Sequence, residues 1–402
     1  MLHIAIPLLE ELENIPSLLK TISAQKHNLY KVYFCINQPD YWWGDLQKID
    51  ACKNNQDSIQ LINASADFPF EIIDRSSLGY GWKGKKLGVG WARKTLMDHI
   101  LASANDHDII ISLDADTTFG ENYFLSIEEN INKHPNIPAI SVPYYHPLSG
   151  KEAEDRAMLR YEIYMRHYLI NLFRIKSPYA FSALGSAIAL PVWALRKIGG
   201  MTPKKSGEDF YLLQKMVKYR PISNWNKEKV YPAARFSARV FFGTGPAMIK
   251  GNEGDWSSYP IYAAYLFDQI AAFYKLIPQL YTNNIATPID SVFGNKEFCN
   301  KLWDSLRKNN KDLPHFTKAV HDKFDGLRML QFLKQNSDSQ QIEDEVSLID
   351  LIHKIGSQRK KPSISPNFLF AKASVSSLNE IRDYLCTIED DYRQNILISY
   401  GE

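Results

Sequence analysis

Two acidic pairs in this sequence have the residue types and setting for chemistry. The first is Leu113-Asp114-Ala115-Asp116, which follows the apolar run Asp108–Leu113. If a strand ends at Asp114, acids at i and i+2 share a face and can reach one point beyond the sheet. Two carboxylates, completed by waters and phosphate oxygens, are a hard-cation site for Mg²⁺ or Mn²⁺. The plain alternative is a turn with two solvated aspartates, since Asp favours turns. The second pair, in Gly207-Glu208-Asp209-Phe210, opens the amphipathic stretch Phe210–Tyr219. Acids at a helix start cap free N–H groups and complement the dipole. The functional reading is a general base close to the first pair.

Three further segments could bind anions or substrate. Gly79–Lys94 places five glycines and five basic residues together, among them Lys83, Lys85 and Arg93. Backbone N–H groups and lysines of this kind cradle diphosphates; a solvated basic face is the alternative. Ala183–Ala187 contains Gly185-Ser186, small residues that admit a ligand close to the backbone. Arg235 and Arg239, in the run Arg235–Gly245, could contact an acceptor or a diphosphate. No GxxxxGK[ST] phosphate loop is present.

The elements that must position these residues alternate. Short apolar strands are expected at Leu2–Ile6, Lys31–Ile36, Phe70–Ile73, Asp108–Leu113 and Pro138–Val142, with helices at Glu10–Ser23 and Leu87–Ala104. Such alternation predicts an α/β fold with a mostly parallel sheet flanked by helices, and ligands beyond the carboxyl ends of its strands. Pro7, Glu11, Asn37 and Asp114 all follow or end such strands. After about residue 245 strand signals nearly vanish. A boundary is expected in a glycine-rich turn at Gly243–Gly251, giving a catalytic domain over 1–248 and a helical C-terminal region over 249–402. Loops are expected at Asn336–Gln341 and Gly356–Pro366.

Composition narrows the function classes. With 47 basic and 45 acidic residues the formal charge is +2, too small for a nucleic-acid-binding field, so any anion site is local. Four cysteines at 35, 52, 299 and 386 fit no zinc spacing and read as buried free thiols of a reducing cytoplasm. The N-terminus has no basic segment before its apolar run and does not read as a signal peptide. The uncharged stretch Ser177–Leu195 is interrupted by Pro178, Gly185 and Pro191, so it reads as a buried strand with tight loops and not as a span. A cytoplasmic protein without transmembrane segments is expected, with peripheral contact to a membrane-borne acceptor allowed.

Taken in order, these motifs resemble those of family-2 glycosyltransferases, whose fold is the Rossmann-like GT-A fold. Ile4–Pro16 resembles their opening IPxYNEExNI segment, and Gly88–Lys94 their GxAxARN helix. Asp114-Ala115-Asp116 is similar to their metal-binding DxD. Gly185-Ser186 through Gly199-Gly200-Met201 resembles their donor loop, and Glu208-Asp209 their ED pair, whose Asp is taken as the base. The likeness covers residues 2 to about 245. It implies a nucleotide-diphosphate-sugar donor, a divalent cation (Mn²⁺ or Mg²⁺) on Asp114 and Asp116, a glycan or lipid-linked acceptor and single-displacement inverting transfer, in the service of surface glycan or glycoconjugate synthesis. Asp209 would be the base and Glu208 its neighbour holding an amide or the acceptor. Pro7, Glu11, Asn37, Lys83, Lys85, Arg93, Asp114, Gly185 and Ser186 would line the donor side. Asn37 stands where the family has an acid that holds the base, and Glu10 where it has Asn. The QxxRW motif of processive members is absent, with Arg235 and Arg239 filling part of its place, so a non-processive enzyme is implied.

Two other classes share parts of this pattern. A nucleotidyltransferase would carry a basic, Gly-rich loop after the first strand, where this chain has Glu10, Glu11 and Glu13. A non-catalytic nucleotide-sugar-binding protein would not need Asp114, Asp116 and Asp209 intact.

Overall fold

The structure, a computed structural model, describes all residues except 85–86, 205–206, 237–243, 339–341, 356–358 and 400–402. The chain divides into two compact units. One comprises residues 1–158, 181–255 and 393–402; the other comprises 159–180 and 256–392. These bounds differ from a single cut at residue 248, because the helical region takes a segment from the middle of the chain and returns its last residues to the first unit.

The first unit is built on a six-stranded sheet. In chain order its leading elements are β1 (Leu2–Leu8), α1 (Ile15–Ser23), β2 (Tyr30–Asn37), a 3₁₀ turn at Asp40–Gly44, α2 (Ile49–Ser65), β3 (Phe70–Arg75), α3 (Val89–Leu101) and β4 (Ile109–Ser112). β5 (Thr117–Phe119), α4 (Tyr123–Lys133), β6 (Ile140–Ser141), α5 (Glu152–Arg174), β7 (Ile188–Pro191), α6 (Val192–Lys197), α7 (Glu208–Tyr219), β8 (Val230–Pro232) and α8 (Thr244–Asn252) follow. The sheet order is β3-β2-β1-β4-β7-β6. β1 pairs in parallel with β2 and β4, β2 with β3, and β7 runs antiparallel between β4 and β6. The expected mostly parallel sheet flanked by helices is therefore present, with one reversed strand.

The central strands read as unbroken apolar runs because both faces are covered: every residue of β1 and β4 is buried. Pro7 is tolerated in β1 because the pairing with β4 ends at Ala5–Ser112, two residues earlier. α1 starts with Pro16 in its first turn, where a missing N–H costs nothing, and buries Ile15, Leu18, Leu19 and Ile22. The glycine-rich turn expected at 243–251 is instead, over its described residues, part of helix α8; the glycines there are tolerated, at a cost in helix propensity.

The second unit is helical. It contains α5 from Leu159, α9 (Ala264–Thr282), α10 (Lys296–Asn309), α11 (Leu313–Lys323), α12 (Gly326–Asp338), α13 (Asp344–Lys354) and most of α14 (Val375–Ser399). The loop expected at 336–341 is helical as far as Asp338. One cluster joins Leu159, Ile163 and Ile170 of α5 to Leu348, Leu351 and Ile352 of α13 and Leu378, Ile381 and Leu385 of α14. Phe273 of α9 packs edge-on to Phe324 at 5.4 Å between centroids. Four fully buried charges run through this unit. Arg166 donates to Glu162 and, at 2.9 Å, to Glu389, while Arg382 reaches Glu162 at 3.3 Å. In the first unit, the buried Arg393 donates to the carbonyls of Ser141 (3.0 Å) and Asn224 (2.6 Å). All four cysteines are free and buried, as expected. Among the described residues, no helix is long and apolar enough to cross a membrane.

Candidate active site

The carboxyl ends of β1, β2, β3 and β4 face one way, and the loops leaving β1, β3 and β4 carry Glu11, Lys83, Asp114 and Asp116. β4 ends at Ser112. The chain then turns, with the Thr117 N–H donating to the Asp114 carbonyl at 3.2 Å, so that Asp114 and Asp116 lie just past the strand. Asp114 is more than a third exposed and Asp116 about a fifth, so both reach solvent.

Each aspartate is held by an arginine. Arg93, on α3 and buried, donates through Nη2 to Asp114 Oδ1 and through Nη1 to Glu208 Oε1. A Cβ at Gly185 would collide with this guanidinium, so the glycine is what admits it. Burial opposes the charge on Arg93, yet Asp114 and Glu208 more than offset that and raise its pKa. Arg235 donates through Nε to Asp116 Oδ2 at 2.8 Å and through Nη2 to both oxygens of Glu11, at 2.8 and 3.0 Å. Glu11 stands in the loop after β1. The pairing Thr117–Pro232 in a two-stranded β5–β8 ribbon, extended by an N–H···O bond from Ala233 to Asp116, brings Arg235 to this point.

Glu208 and Asp209 open α7 behind Gly207, whose φ of 74° suits glycine. Glu208 is buried against Arg93. Asp209 is half-buried, and its Oδ1 accepts the Phe210 N–H at 2.7 Å. It thus covers one free donor of the first turn and keeps a second oxygen. Burial, then the adjacent Glu208 charge, push its carboxyl up to about 7, against the lowering influence of Arg93. A carboxyl near 7 is suited to exchange protons at neutral pH.

The structure thus joins Arg93, Asp114, Gly185 and Glu208 in one cluster, and Glu11, Asp116 and Arg235 in a second. Ser186 is buried beside Gly185. Other expected residues stand apart. Asn37, at the end of β2, is buried and occupied: it donates to the Leu8 carbonyl at 2.8 Å and accepts from the Trp82 indole at 3.1 Å. Pro7 is buried inside β1. Lys83 is exposed, and its nearest carboxylate is Asp40 at 4.0 Å. Lys85 and Arg239 lie outside the described residues.

One residue at this edge escaped sequence reasoning, and a second, Glu10, was noted only as a departure from the family's Asn. Arg75, the last residue of β3, lies over the Trp82 ring at 5.4 Å, and its Nε is buried with no hydrogen-bond partner. A tryptophan inside a basic, Gly-rich loop was the available signal. Glu10 adopts a φ of 55°, a conformation costly for a residue with a Cβ, while its N–H donates to Asn55 Oδ1 at 2.9 Å. The strain sits in the loop where β1 opens onto the site.

Among the described residues, no three His, Cys, Asp or Glu side chains form a metal cluster. The donor set still fits a hard cation. Asp114 and Asp116 each give one oxygen to an arginine, and among the described residues no hydrogen bond reaches Asp114 Oδ2 or Asp116 Oδ1. Such a pair suits an ion that takes its remaining ligands from a diphosphate and water.

No protein-family model matches the chain, and no curated protein matches it. Solved structures do, at low identity. The mannosyltransferase PcManGT from Pyrobaculum calidifontis, solved with GDP-mannose and Mn²⁺, aligns with 97% of this chain and 86% of its own, at 12% identity and a TM-score of 0.37. TarS of S. aureus aligns with 98% of this chain and 54% of its own, at 12% identity and a TM-score of 0.38. Glucosyl-3-phosphoglycerate synthase from Mycobacterium tuberculosis, solved with Mn²⁺, UDP-glucose and phosphoglyceric acid, aligns with 55% of this chain and 65% of its own, at 14% identity and a TM-score of 0.32.

Proposed function

We propose that this chain is an inverting, non-processive glycosyltransferase of the GT-A type, moving one sugar from a nucleotide-diphosphate donor to a hydroxyl acceptor. The observation that carries the reading is the convergence on Arg93. One guanidinium joins Asp114, beyond β4, to Glu208, beside an aspartate whose carboxyl sits near 7. This couples a candidate cation site to a candidate base.

In this reading Asp114 and Asp116 hold Mn²⁺ or Mg²⁺, which when bound supplies counter-charge for the donor diphosphate. Asp209 takes the proton of the acceptor hydroxyl as that oxygen bonds to the anomeric carbon. The bond from that carbon to the diphosphate oxygen breaks on the opposite face, and its electron pair leaves with the nucleoside diphosphate. One displacement inverts the centre. Glu208, buried and paired through Oε1 with Arg93, fixes the start of α7 and leaves the proton to Asp209. Gly185 leaves room for the Arg93 guanidinium that holds Asp114 and Glu208, and the exposed Lys83 would meet the donor phosphates. The acceptor is a glycan or a lipid-linked sugar, and the reaction belongs to cytoplasmic glycoconjugate assembly.

A panel of nucleotide-diphosphate sugars, each incubated with the protein and Mn²⁺, tests this through release of nucleoside diphosphate. One donor class should be turned over, slowly with water and faster with added sugar alcohols, and Asp209→Asn should abolish the release. Pyrophosphate release from a nucleoside triphosphate would identify a nucleotidyltransferase instead. Binding with no release for any donor would leave a non-catalytic nucleotide-sugar-binding protein.

A further inference from the structure

Tyrosines gather at one place in the second unit. Tyr161, Tyr164 and Tyr168 fall at i, i+3 and i+7 on α5 and so share one helix face. Tyr259 and Tyr262 stand in the segment before α9. The Tyr259 ring is edge-on to Tyr161 at 5.2 Å and to Tyr164 at 5.5 Å between centroids. Burial, then the phenols of Tyr262, Tyr168, Tyr161 and Tyr259, push the Tyr164 hydroxyl well upward. Burial, then Tyr262 and Tyr274, do the same at Tyr168. The hydroxyls therefore lie near one another and stay protonated, each able to donate and to accept.

This group is not a closed core. Tyr161 and Tyr262 are buried, but Tyr164, Tyr168 and Tyr259 are half-buried and keep part of their surface in water. Tyrosine hydroxyls at such depth ordinarily find a partner. Among the described residues, no hydrogen bond reaches the hydroxyl of Tyr164 or Tyr168. Arg160, next to Tyr161, is 3% exposed, and its Nη1 also has no hydrogen-bond partner. Aromatic walls with a few unpartnered polar groups are the make-up of a ligand recess.

The surrounding charges select the ligand class. The Arg160 guanidinium lies over the rings of Trp256 at 4.9 Å and Phe370 at 4.5 Å and pairs with Asp344. The place a cationic ligand would take among these rings is therefore filled. An anion would meet two carboxylates, Asp344, which accepts the Ile261 N–H at 2.7 Å, and Glu345, which accepts the Phe370 N–H at 2.9 Å. An uncharged ligand rich in hydroxyls fits both conditions. A sugar ring offers an apolar C–H face to a tyrosine ring and its hydroxyls to the phenol oxygens. Tyrosine supplies that amphipathic contact at low cost in side-chain entropy.

We propose that the tyrosine recess between α5 and the segment before α9 binds a neutral oligosaccharide, with sugar faces against the Tyr164 and Tyr168 rings and sugar hydroxyls bonded to theirs. On the transferase reading above, it would hold a glycan acceptor or the product chain. The binding itself needs no donor, metal or turnover, so it stands or falls apart from that reading.

Calorimetric titration of the full chain with neutral oligosaccharides of glucose, galactose, mannose, rhamnose and N-acetylglucosamine is the test, run with chelator and without nucleotide. At least one series should bind, more tightly as the chain lengthens, and should quench the fluorescence of the protein. Tyr168→Ala, which removes a stacking ring, should weaken that binding by about 10- to 100-fold. The pair Tyr164→Phe and Tyr168→Phe keeps both rings and removes two hydroxyls that hold no partner. Its melting temperature should match the parent's, while sugar binding falls by about threefold to tenfold for each hydroxyl. The phenylalanine pair decides the matter even where the alanine variant does not fold. No binding by any series, or parental binding by the folded phenylalanine pair, overturns the proposal. So does an apolar peptide that binds the parent, and binds the phenylalanine pair equally well, where no sugar does, which would make the recess a protein-docking surface.

Discussion

The guanidinium of Arg93 occupies the space that a side chain on Gly185 would need. From there it reaches Asp114 on one side and Glu208 on the other. Gly185→Ala should therefore expel Arg93 and leave Glu208 buried without a cation. Breaking a buried ion pair of this kind costs about 3 kcal/mol. Denaturant unfolding should show that loss, and donor binding should weaken with it. A variant of parental stability would mean that the loop yields and that the glycine is incidental.

The raised carboxyl of Asp209 predicts a pH profile. As a base it must be ionised, so activity should climb about tenfold per pH unit below 7 and level off above it. Stability should move oppositely. A carboxyl whose folded pKa exceeds its unfolded one binds more protons when folded, so stability declines as pH rises from about 4 to about 7. Asp209→Asn removes both dependences. Because Asn also accepts the Phe210 N–H, the variant should keep the helix start while turnover falls roughly 100- to 10,000-fold. A variant with near-parental transfer would reduce Asp209 to a cap.

Arg235 holds the same Asp116 oxygen through Nε and Nη2 and is anchored by Glu11. A cation arriving at Asp116 competes with that guanidinium. Arg235→Met should thus strengthen Mn²⁺ binding in the absence of nucleotide, measured by calorimetry or by the loss of the free-ion paramagnetic resonance signal. It should also leave Glu11 and Asp116 facing each other unneutralised and lower stability. Unchanged or weaker Mn²⁺ binding would show that Asp116 is a structural partner of Arg235 and no cation ligand.

How much of this was legible in the sequence depends on the element. β1, β2 and β4 are covered on both faces, so they read as continuous apolar runs, and Asp114 at the end of β4 could be placed from that alone. β5 and β8 are three residues each, too short for any period, so nothing in the sequence said that Arg235 stands opposite Asp116. α5 was missed for another reason. Its buried face includes Glu162, Arg166 and His167, whose polarity masks the helical stripe until their partners on other helices are known. Asn37 was expected to face a ligand and instead ties β1 to Trp82, a tertiary use of an amide that spacing cannot reveal.

The same inserted segment makes a prediction about truncation. Leu159, Ile163 and Ile170 pack into a cluster completed by residues of α13 and α14. A chain stopped after residue 248 keeps α5 and loses everything that covers this face, and it also strips Arg166 of Glu389. Such a chain should bind hydrophobic dyes and aggregate. A monomeric, cooperatively folding fragment would show that the first unit closes on its own.

The central claim is that the strand-end edge binds a nucleotide-diphosphate sugar through Asp114 and Asp116 with a divalent cation. The direct measurement is thermal unfolding of the parent chain and of Asp116→Asn against a panel of nucleotide sugars, with Mn²⁺ and with chelator, since a ligand bound only by the native state raises the melting temperature. The account predicts that at least one donor raises the parent's melting temperature with Mn²⁺, that chelator removes most of the rise, and that Asp116→Asn shows little of it. No stabilisation by any donor, or an equal rise in the variant and with chelator, would contradict it.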